Sequence, residues 1–311
     1  MSKKVLVLNN RGMGDCIIST MAFPYIENIF GDVDIHFGVQ SRHAKLFNSD
    51  IFEGTFTPFG IDIHSIVGIF SLHKKINELK PDYIIELTPV RRVGKAIRLT
   101  KLLNPFLDFK FFSTKGKDIG PLPEELASHS ACLQNILNDI WWSLDKDSPL
   151  PPSHLNYQQQ VKPSGQKIIM SMASSSFDHL YDVGDFSKLI NSVKALFPDT
   201  EILYPLSRSN VDQTTKHKLE RLSAPVTFIE TQLDQLPKLF AEAMFFIGMD
   251  TGIKHLAVYM GIPTFSFIPK KSYPYSHSYP DPKHKAILLD SKPEDVELQL
   301  SNWITDVKNS L

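Results

Sequence analysis

Residues Asp250-Thr251-Gly252, followed within one turn by Lys254 and His255, are the part of this chain best equipped for chemistry. The apolar run Phe245-Phe246-Ile247 stops at Gly248 and reads as a buried strand. Ile253, Leu256, Ala257 and Met260 then recur at helical spacing, and Pro263 opens a second apolar run. Asp250 to Gly252 therefore form the turn between a strand and a helix. Gly252 lets backbone approach a ligand closely, Thr251 supplies a hydroxyl, and the N–H groups that open the helix make an anion site. Lys254 and His255 add positive charge suited to a diphosphate. The plainer reading is a capped helix start, with Asp250 or Thr251 as the cap and His255 a hydrogen-bonded polar residue.

A second group precedes a helix near the N-terminus. Val5-Leu6-Val7-Leu8 is a continuous apolar run, as expected of a central parallel strand, and Asn9 to Met13 form the loop leaving it. Gly14-Asp15 starts a helix with Ile17, Ile18, Met21, Ala22, Tyr25 and Ile29 at helical spacing, which Pro24 should kink or end halfway. Asp15 stands beyond the carboxyl end of a strand, where open α/β sheets bind ligands. On its own it reads as a cap or a favourable first-turn charge. Arg91 and Arg92 occupy the matching place after Tyr83-Ile84-Ile85-Glu86, and guanidinium groups suit carboxylate and phosphate. The further cations Lys95, Arg98 and Lys101 read as a solvated helix face.

The segment Asp250-Thr251-Gly252-Ile253-Lys254-His255-Leu256-Ala257, continuing to Gly261-Ile262-Pro263, resembles the D-[ST]-G-x-x-H-x-A…G-x-P signature of the family 9 glycosyltransferases, the bacterial lipopolysaccharide heptosyltransferases. Arg11-Gly12-Met13-Gly14-Asp15 resembles the Gly-Asp motif of the same family. The resemblance implies a GT-B fold, two Rossmann-like doubly wound parallel-sheet α/β domains facing a central cleft. It implies inverting, metal-independent transfer of a sugar from a nucleotide-sugar donor, with ADP-heptose one candidate, to a lipopolysaccharide-core or other glycan acceptor. Asp15 would be the catalytic base, and Arg11, Gly14, Arg91 and Arg92 would face the acceptor. Asp250, Thr251, Gly252, Lys254 and His255 would hold the donor, together with Ser174 and Ser175 of the hydroxyl-rich loop 173–176. No metal and no cofactor beyond the donor substrate are implied, and through its acceptor the protein would touch the cytoplasmic face of the inner membrane.

The chain departs from the family at three places. Met21 stands where the family has Pro six residues after the Asp. Aligning Tyr181 with the Trp of the family's Lys-Arg-Trp puts His179, the remaining donor-side candidate, and Leu180 at the basic positions. Pro205-Leu206-Ser207-Arg208 replaces the Gly-Gly and Glu that approach the nucleoside. These changes keep two alternatives in view: a non-catalytic sugar-nucleotide or glycan-binding protein of GT-B descent, and a nucleotide-sugar epimerase.

The elements that must position these residues follow from the rest of the chain. A length of 311 residues favours two domains, and 42% hydrophobic with 22% charged residues is ordinary globular composition. A net charge of -1 gives no electrostatic case for nucleic acid, and the N-terminal apolar run is too short for a signal peptide, which points to the cytoplasm. The two cysteines, Cys16 and Cys132, are too few for a disulfide framework. Neither a G-x-x-x-x-G-K-[ST] nor a post-strand G-x-G-x-x-G motif occurs, so kinase, ATPase and dehydrogenase readings lack their signatures. His277 and His284 have no paired carboxylates nearby in sequence to complete a metal site.

Alternating strands and helices are predicted through both halves, including a short strand over 52–57, a helix over Ser128 to Trp142 and an aromatic, His-rich loop over 270–280. The domains predicted are 1–150 on the acceptor side, a Pro-rich linker over 151–166, and 167–290 for the donor. A final helix over 291–311 would pack back on the first domain.

Overall fold

The computed structural model describes residues 2–87, 91–113, 137, 140–141, 165–172, 182–206, 210–269, 279 and 281–310. The chain divides into two units, Met1–Tyr157 and Gln158–Leu311, at a point inside the predicted linker.

The first unit holds strands β1 (Lys3–Leu8), β2 (Val33–Val39), β3 (Thr57–Gly60), β4 (Tyr83–Glu86) and β5 (Lys110–Ser113) in the order β3-β2-β1-β4-β5. Every pairing is parallel. Val5, Leu6, Val7 and Leu8 are all buried because helices cover both faces of β1, which explains an apolar run without alternation. The chain builds outward through β2 and β3, then returns to β1's other side for β4 and β5. The order therefore reverses between β1 and β4, where Leu8 lies beside Glu86.

The predicted break at Pro24 is present. One helix runs Met13–Met21 and a second Phe23–Phe30, with Ala22 between them and the proline in the second helix's first turn. A proline there needs no hydrogen bond from its missing N–H, whereas inside a continuous helix it would lose one and strike the preceding turn. The strand predicted over 52–57 is not formed. Asp50–Phe52 is a 3₁₀ turn, and the ladder begins only at Thr57. Phe52 and Phe56 instead join Phe23, Phe37 and Phe47 in an aromatic cluster with ring centroids 5.0–6.2 Å apart. Of the helix predicted over Ser128–Trp142, Leu137, Ile140 and Trp141 are described and helical.

The second unit holds β6 (Lys167–Ser171), β7 (Glu201–Leu206), β8 (Thr227–Glu230), β9 (Ala243–Met249), β10 (Thr264–Ile268) and β11 (His284–Leu288) in the order β11-β10-β9-β6-β7-β8. All pairings are again parallel. This sheet reverses between β6 and β9, where Ser171 lies beside Gly248. A Cβ on Gly248 would sit 2.1 Å from the Ser171 carbonyl oxygen, so only glycine permits the two strand ends to lie this close.

The final helix, Pro293–Ser310, carries Val296, Leu300, Trp303, Ile304 and Val307 on one stripe. That stripe enters the second unit's own core against Phe245 and Phe265, with the Trp303 ring 5.5–5.6 Å from both. The helix thus belongs to the second unit, where the sequence reading sent it to the first. An amphipathic pattern specifies that a helix needs an apolar surface, not which sheet supplies it.

Candidate functional site

Both predicted sites lie where a sheet reverses its strand order, the position at which open α/β sheets leave a crevice between loops that diverge to opposite faces. In the first unit, the loop after β1 leads to Asp15, and the helix Arg91–Leu103 follows β4. In the second, β9 leads to Asp250–Gly252, and the hydroxyl-rich loop follows β6.

Asn9 fixes the first loop. Its Nδ2 donates to Ser19 Oγ at 2.7 Å and to the Asp15 carbonyl at 3.3 Å, and its Oδ1 accepts from the Arg11 N–H at 2.9 Å. Ser19 Oγ also donates to the Asp15 carbonyl at 2.8 Å. The backbone of Asp15 is thereby tied to the end of β1, while its side chain, 26% exposed, carries only a loose ion pair to Arg11 at 4.0 Å. A carboxylate held on a rigid backbone and open to solvent is what proton acceptance from a docked hydroxyl needs. Cys16 next to it is buried and its thiol pKa is driven upward, first by desolvation and then by the Asp15 charge, so it is no nucleophile.

Gly14 is buried in the first turn, and Arg11 and Arg92 are exposed on this rim. Arg91 opens its helix, but its side chain falls outside the described residues. Glu86, which the sequence reading left as a strand residue, is buried at the end of β4 and accepts from Ser113 Oγ at 2.5 Å.

In the second unit Thr251 is the N-cap of the helix Gly252–Tyr259, yet its side chain makes no capping bond. Its Oγ1 is buried and has no hydrogen-bond partner among the described residues. Lys254 differs from the sequence expectation of a cation facing a ligand. It is 1% exposed, and Nζ lies 2.7 Å from Asp250 Oδ1 and over the Tyr279 ring at 5.6 Å. The i,i+4 spacing brings lysine and aspartate to the same helix face, and a buried ammonium requires that pairing.

His255, 2% exposed, has Nδ1 2.7 Å from Tyr279 Oη and Nε2 3.7 Å from Asp250. Asp250, Lys254, His255 and Tyr279 thus form a buried network beneath the turn that leaves Thr251 and Gly252 at its surface. Tyr279 carried no signal of this in sequence, because it sits in a loop rich in aromatics. Ser174, Ser175 and His179 lie outside the described residues. The loop they occupy starts from an anchored point, since the Met172 N–H donates to Tyr204 Oη at 3.1 Å.

His284, considered above as a metal ligand, is buried on β11 with Nδ1 3.1 Å from Thr264 Oγ1. Among the described residues no group of three or more His, Cys, Asp or Glu is placed to hold a metal ion. Burial lowers the His284 pKa from 6.5 to about 3, with Lys283 adding to the effect and Asp281 opposing it. An unfolded His284 takes up a proton near pH 6.5 that the folded protein refuses until about pH 3. Stability should therefore fall as pH drops below 6.5, and His284→Gln should flatten that fall. Denaturant melts at neutral pH and in mild acid measure it, and equal slopes for both proteins would refute it.

Comparison with known proteins follows the same lines. Residues 129–274 match the model for glycosyltransferase family 9 (heptosyltransferase). Among solved structures, E. coli heptosyltransferase WaaC with ADP superposes with a TM-score of 0.72 at 12% identity, over 96% of this chain and 99% of that one. A glycosyl transferase family 9 protein from Veillonella parvula gives 0.69 at 14% identity, over 96% and 88%. E. coli ADP-heptose LPS heptosyltransferase II gives 0.67 at 16% identity, over 98% and 99%. Among curated proteins no sequence match is found. No helix among the described residues is long and apolar enough to cross a membrane. Two all-parallel sheets in this order give the chain the heptosyltransferase-like GT-B fold, and its residues 129–274, which include the Asp250–His255 segment, are similar to the sugar transferases of glycosyltransferase family 9.

Proposed function

We propose that the protein moves a sugar from a nucleoside-diphosphate sugar to a hydroxyl of a glycan or lipopolysaccharide-core acceptor, by one direct displacement that inverts the anomeric centre and needs no metal. Asp15 accepts the proton of the attacking hydroxyl. Arg11, Gly14, Arg91 and Arg92 line the acceptor side. The leaving diphosphate gains charge as the bond breaks, and the N–H groups of Thr251 and Gly252 with the helix dipole stabilise it. Ser174, Ser175 and His179 complete the donor side. Asp250, Lys254 and His255 act from beneath, holding the turn in shape.

The observation that carries this reading is the Thr251 hydroxyl, buried without a partner among the described residues at a helix N-terminus on the sheet's reversal point. A buried polar atom left unpaired costs about 1–3 kcal/mol, a cost that a phosphate oxygen bonded there would remove. ADP-heptose is the favoured donor, because the E. coli enzyme of the same fold is described with ADP and with an ADP-fluoroheptose. The acceptor reaches the protein at the cytoplasmic face of the inner membrane.

A thermal-shift screen of nucleoside diphosphates and their sugars tests the donor assignment, since a ligand bound only to the folded state raises the melting temperature. Thr251→Val should weaken the best nucleotide roughly tenfold or more, the worth of a hydrogen bond to a charged group, and leave the unliganded melt unchanged or higher. Unaltered affinity in Thr251→Val would remove the diphosphate from this turn. Rearrangement of the donor in the absence of any acceptor would favour an epimerase instead.

A further inference from the structure

The helix Arg91–Leu103 and the turn after it present an unusual surface on the first unit. From Arg91 to Leu107 the sequence has five cations, Arg91, Arg92, Lys95, Arg98 and Lys101, and no carboxylate, in a chain whose net charge is -1. Val93, Ala96, Ile97 and Thr100 are buried, so the helix's inner face is accounted for by the core of the unit. The opposite ridge carries Lys95, Arg98 and Leu102 at helical spacing. Leu102 is 78% exposed, Leu103 60% and Phe106 95%.

These apolar side chains are held outward by the structure around them. The Asn104 N–H closes the helix on the Thr100 carbonyl at 2.8 Å, and Asn104 Nδ2 donates to Asn77 Oδ1 on the neighbouring helix Ile66–Leu79 at 3.1 Å. The Leu107 N–H returns to the Asn104 carbonyl at 3.2 Å, and Leu107 packs against the core. Pro105 restricts the backbone between them. Phe106 is thus the tip of a turn anchored on both sides, and turning it inward would break those bonds. Lys101, with Nζ over the buried Phe109 ring at 5.2 Å, keeps its charge beside the tip.

Three outward apolar side chains on a segment with five cations, and with Asp108 as the one acid next to its turn, match an anionic lipid surface: the apolar tips enter the headgroup boundary and the cations meet lipid phosphates. We propose that this face, Lys95, Arg98, Lys101, Leu102, Leu103 and Phe106, docks the protein peripherally on an anionic bilayer. It uses neither Asp15 nor the Thr251 turn, so it does not depend on the sugar-transfer reading.

Cosedimentation of the full chain with vesicles of phosphatidylglycerol and phosphatidylcholine in equal parts, against phosphatidylcholine alone, tests the proposal. Binding should appear only with the anionic vesicles and weaken as salt is raised. Leu102→Ser with Phe106→Ser should lower partitioning by about tenfold or more, and Lys95→Gln with Arg98→Gln and Lys101→Gln should do the same while abolishing the salt response. Because all these side chains point to solvent, the variants should melt with the parent protein. Equal binding to both kinds of vesicle, or variants that bind like the parent, would overturn it. So would a self-associating species in sedimentation velocity that vanishes with Phe106→Ser, which would assign the patch to a second copy of the chain.

Discussion

Asp15→Asn should lower the rate of sugar transfer by about 10²–10⁴-fold, the usual worth of a positioned general base. The substitution is nearly isosteric and removes only the capacity to take a proton. The bonds that brace this loop, from Ser19 Oγ and Asn9 Nδ2, end on the Asp15 carbonyl and not on its carboxylate, so the fold survives the change. Arg11, 4.0 Å from the carboxylate, loses little. On the proposed assignment, donor affinity should stay within about a factor of two, since sites without shared partners contribute independently. Steady-state release of nucleoside diphosphate in the presence of acceptor gives the first quantity, and calorimetric titration of the donor gives the second. Normal turnover in the variant would take the role of base away from Asp15. A matching collapse of donor affinity would mean that the residue binds the donor instead.

Asp250→Ala should have the largest effect on stability. Its carboxylate is 5% exposed and lies 2.7 Å from a lysine that is 1% exposed. Removing one partner of a buried pair costs about 3–5 kcal/mol. For a unit of this size that is a melting shift on the order of 10 °C. Lys254→Met should also destabilise, by removing the ammonium 2.7 Å from that carboxylate. The double variant Asp250→Ala with Lys254→Met should recover much of the loss, because both buried charges of the pair are then gone. Denaturant unfolding of the four proteins completes the cycle. Strictly additive losses would show that the two residues do not act on each other, and the supporting network beneath Thr251 would have to be redrawn.

Much of this architecture could be read from residue order because parallel strands covered on both faces are written as unbroken apolar runs. Val5–Leu8 and Phe245–Ile247 are of that kind. Pro24 likewise announced the break after Met21. What escaped notice was whatever depended on a distant partner. Residues 52–57 were read as a short strand, whereas Phe52 and Phe56 fill an aromatic cluster with Phe37 and Phe47. Lys254 was read as facing outward because an isolated lysine does, and only the placement of Asp250 and Tyr279 reveals its burial. Lys95, Arg98 and Lys101 were read as ordinary solvated charge. The exposed leucines and Phe106 beside them are visible only once the helix has an inside and an outside. The stripe of the last helix was legible, but its destination was not.

Each sheet changes direction once, and each unit is built around apolar residues of its own. On the proposed assignment, lineages can therefore rewrite the loops after β1 and β4 to suit a new acceptor while the turn after β9 is inherited intact. The donor-side departures at His179 and Pro205 can likewise accumulate without disturbing Asp15. A scaffold divided in this way diversifies one substrate at a time.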